Sequence, residues 1–280
     1  MTIEVPSGNS ALLQSQIADL IVQPLLERST FLSAGPTIID SHNSLRIPRI
    51  SSPSTANFVA PGTQISDGSV SFDEVDLLPT SLESLKVLVK VSNELVRQSA
   101  IALNAVLQNR IVNDVALALD AALWNGSGSS NTIKGILQTS GVATGTLDLT
   151  TPDSLIDGMN TALANFVQPT HWVMRPDVYT AFRKLKAGTS DARYLFNPSD
   201  AYAANSYNLV GLPVIITSHV PDNTVALVDF SHVVVARDLD TEVRLLLETF
   251  GDYDSVGIRV VTRYDVALTQ PHAVTLLTTA

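Results

Sequence analysis

The longest regular alternation of apolar and polar positions runs through residues 93–124. Val96, Ala100, Leu103, Leu107, Ile111, Val115, Ala118 and Ala122 recur at steps of three and four, with Arg97, Asn104, Gln108 and Asn109 on other faces. No Pro or Gly interrupts the run. Ser92 or Asn93 can cap it, and Glu94 suits the positive end of the helix dipole. The spacing predicts one helix about 48 Å long at ~1.5 Å per residue, long enough to act as a spine. Asn125-Gly126 is then expected to end it in a left-handed turn. A shorter amphipathic arm is predicted over 10–28, where Leu13, Ile17, Leu20 and Ile21 keep helical spacing up to Pro24. Residues 29–45 show no regular pattern and read as irregular.

A different rhythm surrounds a Pro- and Gly-rich stretch at 46–82. "SLRIPRI" precedes it, and "GSVSFDEVDL" and "ESLKVLVKVS" follow; in the last, Val87, Val89 and Val91 alternate with Lys86, Leu88 and Lys90. These predict a long two-stranded excursion with too few apolar residues for a core of its own. Two readings fit the pattern: a loop without fixed structure, or a limb that orders on a neighbouring subunit. Beyond residue 140 the pattern is mixed. A helix is predicted from 152, capped by Thr151 with Pro152 at its first position. A buried strand follows in "THWVMRP", then a helix in "PDVYTAFRKLKAG" stopped by Gly188. A long loop carries Tyr194, Phe196, Tyr202 and Tyr207. Strands close the chain in "GLPVIITSHV", "TVALVDF", "HVVVARD", "TEVRLLLE", "SVGIRVVTRYDVAL" and "AVTLL".

Composition narrows the functions this pattern can serve. Only 16% of the 280 residues are charged, against 45% apolar. Such a chain either hides much of its surface or tolerates an uncharged polar one. The net charge is −10, and the first Lys is Lys86, so no basic patch exists to grip nucleic acid. There is no Cys, which excludes disulfides, thiolate metal sites and Cys nucleophiles. No window is apolar for the ~18–20 residues a membrane span needs. The loop "GSGSSNTIKGI" resembles a phosphate cradle only superficially. Lys134 precedes Gly135, no Ser or Thr follows it, and the loop sits at the negative end of a helix dipole. It reads as the end of the spine helix. His42, His171, His219, His232 and His272 lack metal-ligand spacing, and no nucleophile elbow occurs. No catalytic, cofactor or metal residue is therefore expected.

The order of parts resembles the major capsid proteins of tailed phages with the HK97 fold, over roughly residues 40–280. "SNELVRQSAIALNAVLQNRIVNDVALALDAALWNGSGSSNTIKGIL" is similar to that family's spine helix with its Asn-Gly end. "HWVMRPDVYTAFRKLKAG" and "RYLFNPSDAYAANSYNLVGLPVIITSHVP" are similar to its strand–Pro–helix and to the segment after it. The resemblance implies an α+β fold with an N-terminal arm (1–43), an extended two-stranded loop (44–92) and a peripheral domain with the spine helix (93–140). An axial domain (141–239) and closing peripheral strands (240–280) complete it. It implies pentamers and hexamers closing into an icosahedral shell around double-stranded DNA in the virion, assembled in the host cytoplasm. Scaffolding, portal and decoration proteins are the accessory partners it implies. Phe58 and Phe72 of the loop, and Tyr194, Phe196 and Tyr202 of the axial domain, are then expected to lie exposed on a lone protomer and to bury on neighbours. The family's covalent crosslink through a loop Lys is not expected, because residues 44–82 contain none. Noncovalent contacts or a decoration protein must supply the strength. With about 40 residues before the loop, scaffolding is expected to be a separate protein or absent, or else the sequence begins at a mature boundary. Encapsulin-type nanocompartments share this fold and are the nearest alternative; a hydrolase without a recognisable motif is a remote one.

Overall fold

The computed structural model describes residues 29–52, 57–64, 68, 71–79, 84–92, 103–129, 132–188, 191–196, 207–238, 242–246 and 248–279. The predicted arm helix at 10–28 and the first ten residues of the predicted spine lie outside them. In chain order the elements are β1 (Thr37–Asp40), β2 (Leu45–Ser52), β3 (Ser71–Leu77), β4 (Leu85–Ser92) and α1 (Leu103–Asn125). Then come β5 (Ala143–Thr146), α2 (Asp153–Ala164), β6 (His171–Met174), α3 (Pro176–Arg183), β7 (Lys186–Gly188) and β8 (Asp191–Tyr194). The chain ends in β9 (Asn208–Leu209), β10 (Leu212–Ile216), β11 (Thr224–Val228), β12 (Val233–Arg237), β13 (Glu242–Leu246), β14 (Ser255–Thr262), β15 (Tyr264–Leu268) and β16 (Val274–Thr278).

Two sheets organise the body. The larger has the order β5-β16-β11-β6-β10-β9 and the smaller β1-β12-β15. Every residue of β11 is buried. Its Val225 and Leu227 face a cluster with Trp172, Met174, Leu155 of α2 and Phe182 of α3. Its Ala226 and Val228 face the opposite cluster, built on Ile111, Val115, Leu119, Leu123 and Trp124 of α1. Such a strand reads as a continuous apolar run, which is why "TVALV" shows no alternation. Strand β12 repeats the arrangement one layer away. Val233 and Val235 join the α1 cluster, while Val234 and Ala236 face Leu77 and Leu78 at the root of β3. The order of layers is therefore limb root, small sheet, α1, large sheet, and then α2 with α3.

Several expectations change here. The buried stripe of α1 leaves the predicted one after Val115: Leu119 and Leu123 point inward, while Ala118 is exposed. Leu and Trp bury more area per residue than Ala, so they set the helix rotation where both registers contain apolar side chains. Residues 29–45 are not irregular: a 3-10 turn at Leu32–Ala34 leads into β1, which pairs in parallel with β12. Helix α2 starts at Asp153 rather than 152, and Thr151 gives it no side-chain cap. Helix α3 stops at Arg183, because 186–188, the last turn of the predicted helix, pairs with 191–194 of the predicted loop as a hairpin. The run 255–268 divides at Arg263 between two sheets, β14 pairing with β4 and β13, and β15 with β12. Strand β16 lies inside the large sheet, between β5 and β11.

Gly126 does not adopt the left-handed conformation predicted for it; Gly128 does, at φ 67°. Gly126 is required for a different reason. A Cβ there would lie 2.2 Å from the Ile133 carbonyl oxygen, and one on Gly135 would lie 2.6 Å from the Trp124 oxygen. The two glycines let the backbone cross itself, with the Gly135 N–H donating to the Gly126 carbonyl at 2.9 Å. The loop is a chain reversal that returns Ile133, Ile136 and Leu137 to the α1 cluster.

The segment entering the body is held by one carboxylate. Asp120 of α1 is 3% exposed and accepts from the Thr30 N–H and the Thr30 hydroxyl, each at 2.7 Å, and from the Ser29 hydroxyl. These bonds set Phe31 edge-on against Trp124 at a centroid distance of 4.7 Å, with Phe230 completing the aromatic group. Replacing Asp120 with Ala strands several buried donors and should destabilise the unassembled subunit by about 3 kcal/mol. The check is a lower urea midpoint with quenching changes at Trp124.

Candidate assembly surface

The site here is a set of surfaces rather than a pocket, and it begins with the limb. Strands β2 and β3 pair antiparallel from Leu45↔Leu77 to Ile50↔Phe72. Opposite residues share a face. Near the root, Leu45, Ile47 and Leu77 turn toward the body and pack on Val234 and Ala236. Farther out, the apolar side changes: Phe72 lies on the other face and is 75% exposed. Cross-strand ion pairs stiffen the ribbon. Arg49 meets Asp73, and Arg46 reaches Glu74 at 3.1 Å and Asp76 at 3.2 Å. Each is worth little alone in water, but together they fix the register. Beyond the strands, Ala60-Pro61-Gly62-Thr63 forms a turn closed by the Thr63 N–H on the Ala60 carbonyl, with Gly62 at φ 83°. Pro and Gly in those two places are what a type II turn requires. The turn presents Phe58, which is fully exposed, beside Val59.

The limb joins the body through a buried carboxylate. Asp265 of β15 accepts from the Leu78 N–H and the Val266 N–H, both at 2.9 Å. Leu78 is held at φ 52°, a conformation rare for a branched side chain. Arg263 donates to the Pro79 carbonyl at 2.9 Å. Burial pushes the Asp265 carboxyl above its ordinary value; the two N–H bonds and Arg263 pull it back without cancelling that effect.

Further exposed apolar groups lie at the two ends of the large sheet, and Ile38, Leu88, Leu117 and Tyr253 are exposed elsewhere. At the β5 end, Ile156 and Leu163 of α2 are 53% and 54% exposed, and Phe166 just beyond it is 97% exposed. Phe166 stands at φ 58° in the position after a helix that Gly usually takes. Holding a Phe there costs about 1 kcal/mol. At the β9 end, Tyr194 is half exposed beneath the Lys186 ammonium, 3.3 Å from its ring centre, and Tyr207 meets Tyr179 edge-on. Of the five residues singled out in the sequence, Phe58, Phe72 and Tyr194 are exposed on the protomer. Phe196 is instead half-buried against the α2–α3 cluster, because the β7–β8 hairpin folds it back. Tyr202 lies outside the described residues. Ile156, Leu163 and Phe166 were missed, although the seven-residue step from Ile156 to Leu163, on a helix whose buried side carries Leu155 and Ala162, was the signal.

Among the described residues no three His, Asp or Glu side chains group as metal ligands, and no helix is long and apolar enough to cross a membrane. Residues 9–279 match the sequence model of the phage capsid family. The chain belongs to the phage capsid family. Its fold is HK97-like, and it is a structural shell protein. The capsid of a native GTA particle superposes with a TM-score of 0.74 at 22% identity, covering 90% of this chain and 91% of that one. A chain from Microbacterium phage Oxtober96 gives 0.73 at 17% identity over 90% and 91%. One from Mycobacterium phage Adephagia gives 0.69 at 15% identity over 95% and 97%. At these identities the likeness is one of fold. No curated protein matches this phage capsid family member in sequence.

The Asp265 shift makes a pH prediction. Its carboxyl binds a proton more tightly folded than unfolded, so acid favours the folded form at this site. That advantage is full below the ordinary value of 3.8 and fades as pH rises through the raised one. Comparing wild type with Asp265→Asn cancels the other carboxylates. The melting temperature of wild type relative to the variant should therefore increase as pH falls from neutral toward 4. A difference independent of pH would contradict the burial argument.

Proposed function

We propose that copies of this chain assemble into pentamers and hexamers, and that these close into an icosahedral shell enclosing the double-stranded DNA genome of a phage. One observation carries the reading: the limb holds Phe58 and Phe72 exposed on the protomer. Limb strands of eight and seven residues span about 25 Å and carry the Phe58 turn away from the root at Leu77. The net charge of −10 suits a wall that packaged DNA does not adhere to. In this reading the protein is not an enzyme. It resides in the virion after assembly in the host cytoplasm, with scaffolding, portal and decoration proteins as accessory partners. Residues 44–92 act as the limb, 93–140 and 240–280 as the periphery, and 141–239 as the axial part that gathers around each ring. Strand β16 ties the last region to the axial sheet.

Size-exclusion chromatography and electron microscopy of the expressed protein test this. The expected result is megadalton closed particles, with long double-stranded DNA inside those recovered from a phage lysate. A compact single subunit at high concentration would overturn it, and particles filled with a cargo enzyme would favour an encapsulin-type container. The paired variant Phe58→Ser/Phe72→Ser should leave subunit stability within about 0.5 kcal/mol, since neither ring is buried in it. Its particle yield should fall on the order of tenfold.

A further inference from the structure

The two ends of the large sheet complement each other. At the β5 end, α2 lies across β5, β16 and β11. Its outward side carries Ile156, Leu163 and Phe166 together with exposed Asp153 and Asp157. From Gly135 to Met174 the chain holds three carboxylates, Asp148, Asp153 and Asp157, and no Lys or Arg. At the β9 end the signs reverse. Helix α3 and the β7–β8 hairpin carry Arg183, Lys184, Lys186 and Arg193. The two acids among them pair locally, Asp177 with Arg175 at 3.5 Å and Asp191 with Arg193 at 2.6 Å, so the positive excess rests on Arg183, Lys184 and Lys186. The apolar members of this end are Tyr194, Leu195 and Tyr207, at 51%, 42% and 52% exposure. Both helices sit on one face of the sheet, since Leu155 of α2 and Val178 and Phe182 of α3 share a single cluster. The acidic surface thus lies over the β5 side of the sheet, and the basic one beside β9, where Tyr179 meets Tyr207.

We infer that the α2 end of one copy docks on the α3–hairpin end of the next, so that the subunits of a ring associate head to tail through these two faces. The occupant of each face is a second copy of this chain. The argument is charge complementarity combined with an apolar centre on both sides, in a heterologous contact that closes when the rotation per copy divides a circle. Phe166 supplies independent support. Its backbone is held in an unfavourable conformation and the residue is 97% exposed, the pattern expected where strain is retained for a contact made elsewhere. This deepens the ring assembly proposed above and rests on it.

Charge exchange tests it in the full chain. Asp157→Lys and Lys184→Glu each place like charges across the contact, and each should reduce ring and particle yield on the order of tenfold. The combined Asp157→Lys/Lys184→Glu variant should recover assembly above either single change. Phe166→Gly gives a second readout. It relieves the backbone, so the melting temperature of the subunit should hold or rise, while assembly falls. Single-charge variants that fold and assemble like wild type, or a combined variant no better than the singles, would overturn the assignment. So would Phe166→Gly with undiminished assembly. If wild type itself forms no rings, the proposed function fails, whatever these variants do.

Discussion

Strands β11 and β12 are apolar on both faces, and the rest of the protomer is arranged to keep water from both. On β11, Ala226 and Val228 are covered by α1, and Val225 and Leu227 by α2 and α3. On β12 the outer face, Val234 and Ala236, is covered by Leu77 and Leu78 at the root of the limb. Area removed from water is the main favourable contribution in such a body. That requirement fixes which face each helix presents and why the limb is rooted where it is. It also explains the buried Asp265: closing the limb root over β12 takes that carboxylate out of water, and the Leu78 N–H is part of its compensation.

What the body cannot cover is equally ordered. The distal limb is stiffened by ion pairs and ends in a fixed turn, yet its aromatic rings face solvent. Phe166 is held against backbone preference and still points away from its own core. A globular enzyme of this size would be expected to spread its exposed apolar groups singly. Here several of them gather at the limb and at the two ends of one sheet, while Ile38, Leu88, Leu117 and Tyr253 are exposed elsewhere.

Much of this architecture was legible in the sequence, for identifiable reasons. The period-two run at 85–92 became β4, with Val87 and Val89 packed on the α1 cluster and Lys86 and Lys90 outside. The paired strands of the limb followed from Pro and Gly placement between two alternating runs. Other features depended on distant partners. β1 has no strong pattern because its order comes from parallel pairing with β12, some two hundred residues later. The rotation of α1 was ambiguous because Ala and Leu occupy adjacent stripes, and only the facing sheet selects between them. Gly126 was assigned to a left-handed turn, whereas its role is close approach to Ile133 and Gly135, which no local reading reveals. The exposed residues of α2 were missed because apolar side chains on a helix read as core until the buried side is known.

The account depends on surfaces of one copy being covered by another. Hydrogen exchange on the same protein, free and assembled, measures that cover directly. The amides of 57–64, at the limb tip, should exchange rapidly in the free subunit and become protected in the particle, while the amides of β11 stay protected in both. Equal, rapid exchange of 57–64 in both forms would show that the limb tip finds no partner, and would contradict the account.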